Sequence, residues 1–450
     1  MRLKSQKQLY LKPQSKTLPG SVELKLIEQS LESLPGYGAI LDKVSADLNS
    51  TNPKGKQGRD GMTCEQVLRA LIVKQLNNYS YRKLANAISD SISVMEFLNL
   101  SPFDKGFHYK TLQSNIKLIE EDTLDMINSE IKSYAQSCGI EDGEVIRADA
   151  FSTESNIHYP TDWGLMNDSI RVLSRTLCRA FEDLNIPVEF TNHYRASKKK
   201  LFKINNDKSH KRRRKLNLEL IRLTRKTVGY AKRAYPVMEQ FDCRTIEDQL
   251  YLDSLIADLK HFIPLVENVI SQAHRRIVKE EKVQSDEKIV SIFEEHTDII
   301  FKGDRKVKFG HKNTITTGKS GLVLNIDIHD GNPADSSLVK DVIENHKSFY
   351  GDAPNTAVFD GCYSSTENRQ FAHAEGIQNI CFSKETDEQS SISRSARRKL
   401  RFFRAGIEAT VSMLMRMFGL TRIVNKGLRS FRATAKAAVV TYNLFILSRF

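Results

Sequence analysis

Hydrophobic residues recur at helical spacing through the first third of the chain. They predict helices over residues 22–33, 63–77, 81–88, 94–98, 111–119 and 123–137. The second helix opens with a capping-box pattern, because Gln66 follows Thr63 at a distance of three residues. Short helices around a polar turn favour a helix-turn-helix-like DNA-binding unit that exposes Tyr79, Tyr81, Arg82 and Lys83. A plain bundle of short helices is the alternative.

The pattern then changes to short apolar strands. Residues 145–150 predict a first strand that delivers Asp149 to a sheet edge, followed by a polar loop, Pro160 and a helix from Trp163. Residues 164–288 are helical in pattern. Alternation around 307–315 and 322–328, with a glycine-containing turn at 317–321, predicts a hairpin. Further elements are predicted as a helix at 336–346, a strand at 356–360, a helix at 364–374, a strand at 377–382 and helices at 393–418 and 430–450. Mixed α/β order of this kind places catalytic groups at strand ends.

Charge narrows the class of partner. The 450 residues contain 68 Lys and Arg against 55 Asp and Glu, a formal net charge of +13. That surplus favours a polyanion, either nucleic acid or an anionic membrane, over a basic protein with no such partner. No apolar run reaches the roughly 18 residues of a membrane span, and the N-terminus lacks the apolar segment of a signal peptide. Six scattered cysteines without a CxxC pattern predict a reducing cytoplasm and argue against a zinc site.

The strongest basic segment lies between Arg195 and Lys215, with eleven Lys or Arg residues and a single acid, Asp207. Like charges at this density repel one another on a bare helix. A phosphate partner therefore explains the segment better than a solvated helix face does. The candidate DNA-binding residues in this segment are Lys198, Lys199, Lys200, Lys211, Arg212, Arg213 and Arg214.

Two aspartates share one context, an apolar strand that runs into an acid. Asp149 follows Val145 and Ile146, and Asp360 follows Val358 and Phe359. Each alone is more often a turn or cap residue. Two in one sheet of a basic protein suggest a site for Mg²⁺, which prefers carboxylate oxygens and bridges to substrate phosphates.

A third carboxylate would complete such a site, and Glu408 is the best candidate. It lies in a predicted helix with Arg404 four residues earlier on the same face; a surface ion pair is the alternative explanation. The rivals for the third ligand are Glu367, Glu375 and Glu385. Glu154 and Asp162 compete with Asp149, although Asp162 is better explained as the cap of the helix from Trp163.

Four motifs follow one another along the chain: Ala148 to Asp162, Val358-Phe-Asp-Gly-Cys-Tyr363, Arg404-x3-Glu408 and Phe418-Gly-Leu-Thr-Arg422. Together they resemble a DDE transposase of bacterial insertion sequences, closest to the group filed as not classified yet (ISNCY). The resemblance extends from the region 79–84 to the C-terminus. It implies an α/β fold with a ribonuclease-H-like catalytic core, split by a basic α-helical insertion and preceded by an all-α N-terminal module.

On this basis we expect five segments: an arm and linker at 1–61, a helical DNA-binding domain at 62–140, core at 141–163, insertion at 164–288 and core again at 289–450. The resemblance implies that Asp149, Asp360 and Glu408 bind two Mg²⁺ ions, for which Mn²⁺ should substitute. The implied partner is double-stranded DNA, both terminal inverted repeats and target, in the bacterial nucleoid. Because two ends must be joined, we expect a homodimer in the DNA complex.

The motif around the glutamate departs from the family at two places. Related transposases often show Tyr-x2-Arg-x3-Glu-x6-Lys. In this chain Arg401 stands at the tyrosine position and Met415 at the lysine position, with Arg416 one residue further on. Arg404 and Glu408 keep their spacing, so only the roles of Arg401 and Arg416 are put in doubt.

The leading hypothesis is metal-dependent cleavage at insertion-sequence ends followed by strand transfer. A metal-dependent nuclease without strand transfer and a catalytically dead DNA-binding repressor are the alternatives. Arg404 is expected to contact phosphate or to orient Glu408. Tyr159 and Trp163 are candidates for stacking on an unpaired base, with local packing beside Pro160 as the other explanation.

Overall fold

The computed structural model describes residues 3–4, 19–50, 61–301, 307–383 and 392–450. The chain divides into two compact units, one formed by residues 1–156 and 300–450 and the other by residues 157–299. Residues 51–60 of the predicted arm and linker at 1–61, and the candidate Glu385, lie outside the described residues. The five predicted segment boundaries remain predictions. Within the described ranges, no helix has the length and apolar character needed to cross a membrane.

The first unit begins with short helices. These are α1 (Pro19–Glu32), α2 (Tyr37–Asn49), α3 (Cys64–Leu76), α4 (Tyr81–Asp90), α5 (Ile92–Phe97), α6 (Tyr109–Ile116) and α7 (Glu121–Ser137). The predicted capping box at the start of α3 is confirmed, because the Thr63 hydroxyl accepts from the Gln66 amide while the Gln66 side chain accepts from the Thr63 amide. The apolar faces of these helices belong to one continuous core with the sheet and the C-terminal helix.

The remainder of this unit is an open mixed sheet covered by helices. Its elements, in chain order, are β1 (Val145–Ser155), β2 (Asp298–Ile300), β3 (Lys308–Thr317), β4 (Val323–Ile328), α12 (Val339–Tyr350), β5 (Thr356–Phe359), α13 (Thr366–Ala374), β6 (Asn379–Phe382), α14 (Arg394–Arg416), β7 (Arg422–Ile423) and α15 (Leu428–Leu447). The sheet, which has seven strands within the described residues, follows the order β2-β3-β1-β5-β6, with β4 beside β3 and β7 beside β1. The chain is thus a mixed α/β protein, as predicted.

Strand directions around β1 place the two aspartates. β3 runs antiparallel to β1 and β4 antiparallel to β3, which confirms the predicted hairpin. β5 is parallel to β1, and β6 is parallel to β5. The carboxyl end of β5 therefore lies beside the middle of the much longer β1.

A strand begins at Val145 as predicted, but the prediction that it ends at residue 150 and gives way to a polar loop there is wrong. β1 continues to Ser155, and its polar residues Ser152 and Thr153 are buried. They pair with β3, where the Asn313 amide nitrogen donates to the Thr153 hydroxyl at 2.7 Å. Partners on a neighbouring strand thus satisfy side chains that would otherwise favour a loop.

The second unit is helical. It contains α8 (Asp162–Glu182), α9 (Tyr194–Asn206), α10 (His210–Glu239) and α11 (Ile246–Ile277), which share their own apolar core. Asp162 is not the N-cap of α8 as predicted. Thr161 has that role, since its hydroxyl accepts from the Gly164 amide, whereas Asp162 accepts from Gln272 at 3.2 Å and from Arg276 at 2.8 Å.

Candidate catalytic site: three carboxylates around Arg404

Strand β1 supplies the first carboxylate of the site. Side chains alternate between the two faces of a strand, so Arg147 and Asp149 share one face while Ala148 and Ala150 face the core on the other. Asp149 lies in the middle of β1 and not at a strand end, which corrects the sequence-based prediction. Its Oδ1 accepts a hydrogen bond from the Ala150 amide at 2.8 Å, which fixes the direction of the carboxylate.

Strand β5 supplies the second carboxylate. Arg147 is paired with Val358, so continuing the parallel register by two places puts Asp360 beside Asp149. Ser383 follows β6 and reaches the same point, because Phe382 is paired with Phe359. The Ser383 hydroxyl donates to Asp360 Oδ1 at 2.7 Å and accepts from the Gly361 amide at 3.0 Å. Ser383 therefore holds the second carboxylate in place.

Helix α14 brings the third carboxylate and a cation. Arg404 Nη2 donates to Glu408 Oε1 at 2.8 Å, and Arg404 Nη1 lies 3.6 Å from Asp149 Oδ2 and 3.7 Å from Asp360 Oδ1. The Arg404 side chain is only 15% exposed, compared with 64% for Glu408. The three predicted carboxylates therefore meet around one guanidinium, and Arg404 is more than the partner of a surface ion pair.

The three carboxylates face the guanidinium without converging on one metal-binding point. In the part of the chain that the structure describes, no three His, Cys, Asp or Glu side chains are close enough together to hold a metal ion. The chemistry of the three side chains nevertheless suits Mg²⁺, because all are carboxylates and all face a position where a positive charge is held. The site thus contains suitable ligands around a cation that belongs to the protein.

A close approach between α14 and β1 brings these groups together. Gly406 lies against the buried Arg147: a Cβ on this glycine would fall on Arg147 Nη1 and lie 3.0 Å from Arg147 Cζ. The Arg147 guanidinium donates from Nε to Thr317 Oγ1 at 2.9 Å and from Nη1 to the Phe403 carbonyl oxygen, and it stacks 4.5 Å from the Phe403 ring centroid. Arg147 and Gly406 therefore set the distance between helix and strand.

Tyr363 follows the second carboxylate in the chain, and its backbone amide donates to the Asp360 carbonyl oxygen at 3.1 Å. It is fully buried, and burial raises the pKa of its hydroxyl well above the usual range, with negative charge on Asp335 and Asp149 adding to the shift. The hydroxyl is therefore neutral at physiological pH.

Sequence reasoning missed four residues of this site: Arg147, Ser383, Gly406 and Tyr363. The alternation of β1 could have identified Arg147, since it lies two residues before Asp149 and must share its face. Alignment of the ends of β5 and β6 could have identified Ser383. No local signal distinguishes Gly406 or Tyr363.

The rival carboxylates have other surroundings. Glu154 is five residues after Asp149 in an unbroken register with β3, so it faces the opposite side of the sheet. Glu375 forms an ion pair with Lys347. Glu367 is exposed in the first turn of α13.

The basic segment of the second unit forms α9 and the start of α10. Within it Lys198, Lys199, Lys211, Arg212 and Arg214 are exposed. Lys200 is instead half-buried in an ion pair with Glu219, and Arg213 is half-buried with its guanidinium carbon 5.3 Å from the Trp163 ring centroid. Five of the seven predicted residues therefore present their charge to solvent.

The aromatic candidates differ in exposure. Trp163 packs against the core of the second unit, and its indole nitrogen donates to Asn205 at 2.8 Å. Tyr159 is 74% exposed. Local contacts thus account for Trp163, and the two aromatic candidates differ mainly in how much of the side chain is exposed.

Two of the four residues that were predicted to be exposed near α4 are exposed. Arg82 and Lys83 are exposed, but Tyr79 and Tyr81 are half-buried against the core, which corrects that part of the prediction. The Lys74 ammonium lies 5.3 Å from the Tyr81 ring centroid, and burial raises the pKa of Tyr81 to about 12.

Comparison with known proteins gives one finding. No curated protein and no solved structure matches the chain. Residues 24–118, which include most of α1 and all of α2 to α6, match the model of a family described as a transposase domain (DUF772). The matched residues precede the three carboxylates in the chain. The match supports a transposase family for this protein.

Proposed function

We propose that the chain is a DDE transposase, similar to the ISNCY group, that cleaves DNA at the ends of an insertion sequence and transfers the strand to target DNA. The observation that carries the proposal is the meeting of Asp149, Asp360 and Glu408 around one cation. The match of residues 24–118 to a transposase domain supports the same class independently.

The sheet also supports the proposal. The order β4-β3-β1-β5-β6, with β3 antiparallel and β5 parallel to β1, agrees with the ribonuclease-H-like core that the sequence resemblance implies. The helical unit of residues 157–299 falls between β1 and β3 in the chain, where the resemblance places an insertion.

Asp149, Asp360 and Glu408 would hold two Mg²⁺ ions, with Mn²⁺ as a substitute. When bound, such ions stabilise the attacking and leaving oxygens of an in-line phosphoryl transfer. The chain itself fixes the ligands: the Ala150 amide orients Asp149, and Ser383 orients Asp360. Glu408 is the most exposed of the three, so it lies on the side from which DNA would approach.

The basic surface of α9 and α10 would bind the DNA backbone. Its exposed lysines and arginines far outnumber the acids beside them, which suits contacts to phosphates in double-stranded DNA. The ion pairs of Arg212 with Asp207 at 3.9 Å and of Arg214 with Glu280 at 3.7 Å are long, and both arginines are exposed, so a phosphate could replace either acid. The proposed duplexes are the terminal inverted repeats and the target. A homodimer would bring two ends together, and a bacterial nucleoid location would follow from this substrate.

The catalytic assignment is tested with Asp360→Asn and Glu408→Gln in a Mg²⁺-dependent cleavage assay on a duplex that carries the element's own ends. Both variants should lose cleavage by several orders of magnitude and keep DNA binding, because they remove a ligand without removing basic residues. Glu367→Gln is the matched control, since it neutralises an exposed glutamate outside the proposed triad. Full cleavage by either triad variant would refute the assignment.

A strand-transfer assay separates the proposed transposase from its alternatives. Joining of a 3′-hydroxyl end to target DNA supports a transposase. Cleavage without joining would identify a nuclease, and salt-dependent DNA binding without cleavage would identify a DNA-binding repressor.

A further inference from the structure

The position of the Arg404 guanidinium bears on how the three carboxylates bind metal. Its guanidinium lies among all three carboxylates, and Nη1 is buried without a hydrogen bond in the described part of the chain, although Asp149 and Asp360 lie 3.6 and 3.7 Å away. An ordinary i,i+4 ion pair with Glu408 would leave the guanidinium in solvent. In this protein the side chain turns inward and is 15% exposed.

Electrostatics explains why a cation is required at this point. Two aspartates on neighbouring strands and a glutamate on α14 would repel one another in a half-buried site unless a positive charge lay between them. Arg404 supplies that charge from the protein itself. Divalent ions would use the same oxygen atoms, so ions and guanidinium cannot both occupy the space between the carboxylates.

We propose that Arg404 is the resident cation of the DNA-free site, that is, the positive charge held between the three carboxylates. A divalent metal must displace its guanidinium in order to bind, and a DNA phosphate attracts the guanidinium away from the carboxylates. This inference rests on the proposed metal-dependent function. It makes metal loading conditional on DNA, because the guanidinium leaves the carboxylates when it finds another anion.

Basic residues near Arg404 form a surface on which a DNA phosphate can bind. Arg398 and Arg401 are exposed on α14 one to two turns before Arg404, and Arg401 shares the helix face of Glu408. A phosphate bound on this surface is within reach of a guanidinium, which binds phosphate through two parallel hydrogen bonds. DNA binding and metal binding are then coupled, and each must strengthen the other by the same factor.

The test measures Mn²⁺ affinity of the full-length chain without DNA, by electron paramagnetic resonance of free Mn²⁺. Arg404→Gln should bind Mn²⁺ at least tenfold more tightly than the wild type, because it removes the competing charge. Arg404→Lys keeps a cation and should stay close to the wild type. Lys399→Gln is the matched control, since it removes one exposed charge from the same helix. Circular dichroism establishes that each variant is folded.

A second arm adds a 30-base-pair duplex of arbitrary sequence. The wild type should then bind Mn²⁺ more tightly, whereas Arg404→Gln should gain much less. The reciprocal measurement, DNA affinity with and without Mn²⁺, should give the same factor for the wild type.

The outcomes distinguish this inference from the function on which it rests. Equal or weaker Mn²⁺ binding by Arg404→Gln, together with loss of binding in Asp149→Asn, would overturn the resident-cation role and leave the metal site intact. Such a result would mean that Arg404 orients Glu408. Absence of Mn²⁺ binding in every variant would overturn both this inference and the metal-dependent function. Tight binding confined to Arg404→Gln and to the DNA complex would support both.

Discussion

Substitution of Gly406 by alanine should disable the site without touching a carboxylate. The added Cβ would fall on the Arg147 guanidinium, which is 8% exposed and held by Thr317, by the Phe403 carbonyl and by the Phe403 ring. Either Arg147 leaves these partners or α14 moves away from β1. In the second case Arg404 and Glu408 move with the helix, away from Asp149.

The loss of stability is set by whichever of these two rearrangements, displacement of Arg147 or movement of α14, costs less free energy. Displacing the guanidinium forfeits hydrogen bonds from a charged donor, worth about 1.5–3 kcal/mol each. Moving the helix is an overpacking response that costs about 1–3 kcal/mol, partly offset by the roughly 1 kcal/mol by which alanine favours a helix over glycine. The chain should therefore move the helix, with a net loss of at most about 2 kcal/mol in the free energy of unfolding. Misplacement of catalytic groups by about 1 Å lowers a rate by about 100-fold.

The assay is the Mg²⁺-dependent cleavage rate of Gly406→Ala, with thermal unfolding measured alongside. Gly229→Ala is the control, since it makes the same exchange inside α10 with only ordinary contact to Arg233 at 3.6 Å. A second variant, Arg147→Ala with Gly406→Ala, removes the clash, so the two substitutions should couple by about 0.5–3 kcal/mol. Wild-type cleavage by Gly406→Ala, or strictly additive effects in the double variant, would refute the proposed close approach.

Three further predictions concern other parts of the chain. Arg69 is fully buried among three carboxylates at 2.6–2.9 Å, so Arg69→Met should lower the unfolding free energy by about 3–5 kcal/mol, seen as a lower melting temperature; a cost below about 1 kcal/mol would contradict it. Burial lowers the pKa of His346 from 6.5 to about 4, so a stabilising contribution of up to roughly 3 kcal/mol should disappear as the pH falls from 6.5 to 4. His346→Phe should lack that part of the acid destabilisation, and an unchanged pH profile would contradict the assignment. Arg212→Gln with Arg214→Gln should reduce the slope of log affinity against log salt by about 0.9 for each phosphate that is no longer neutralised, and an unchanged slope in a DNA-binding titration would remove α10 from the interface.

The direction of this pH dependence follows from the pKa of His346 in the folded protein and its pKa in the unfolded chain. Its pKa is about 4 in the folded protein and close to 6.5 when the chain is unfolded, so the unfolded state binds more protons between these values. Stability therefore rises with pH across this window and is complete above it. The side chain stacks on Tyr350, with ring centroids 4.6 Å apart, and Lys132 adds a repulsive positive charge. Phenylalanine can keep the stacking without a titrating group.

Local sequence signals predicted those parts of the fold that local chemistry decides. The capping box at Thr63 and Gln66 was predictable because both partners lie within one turn. The hairpin of β3 and β4 was predictable because alternation and a glycine turn specify it. In each case the information lies within about twenty residues.

The length of β1 was not predictable in this way. Ser152, Thr153, Glu154 and Ser155 have the composition of a loop, yet they form a strand because β3 pairs with residues 152–154 and β7 with residues 154–155, both from more than 150 positions further along the chain. Local propensity is a weak guide when a buried neighbour satisfies polar side chains. The misplaced end of β1 is also the reason that Asp149 was expected at a strand end.

The candidate site was likewise predictable only where the contacts are local in sequence. Sequence spacing connects Arg404 with Glu408 because four residues make one helical turn. It cannot reveal that Arg404 also faces Asp149 and Asp360, since that depends on how closely α14 approaches β1. The approach is set by Gly406 and Arg147, which belong to different elements and carry no joint motif. The three carboxylates were therefore predictable from motifs, whereas the cation between them was not.

This difference gives Arg404 an importance that its spacing to Glu408 alone would not suggest. If the arginine served only as a phosphate contact, its guanidinium would be expected at the surface with Arg401, and the carboxylates would be left to repel one another. Its inward position, 15% exposed beside Asp149 and Asp360, offsets one of the three negative charges of the DNA-free site. Under the proposed function, coupling of metal loading to DNA would restrict strand cleavage to the DNA-bound protein.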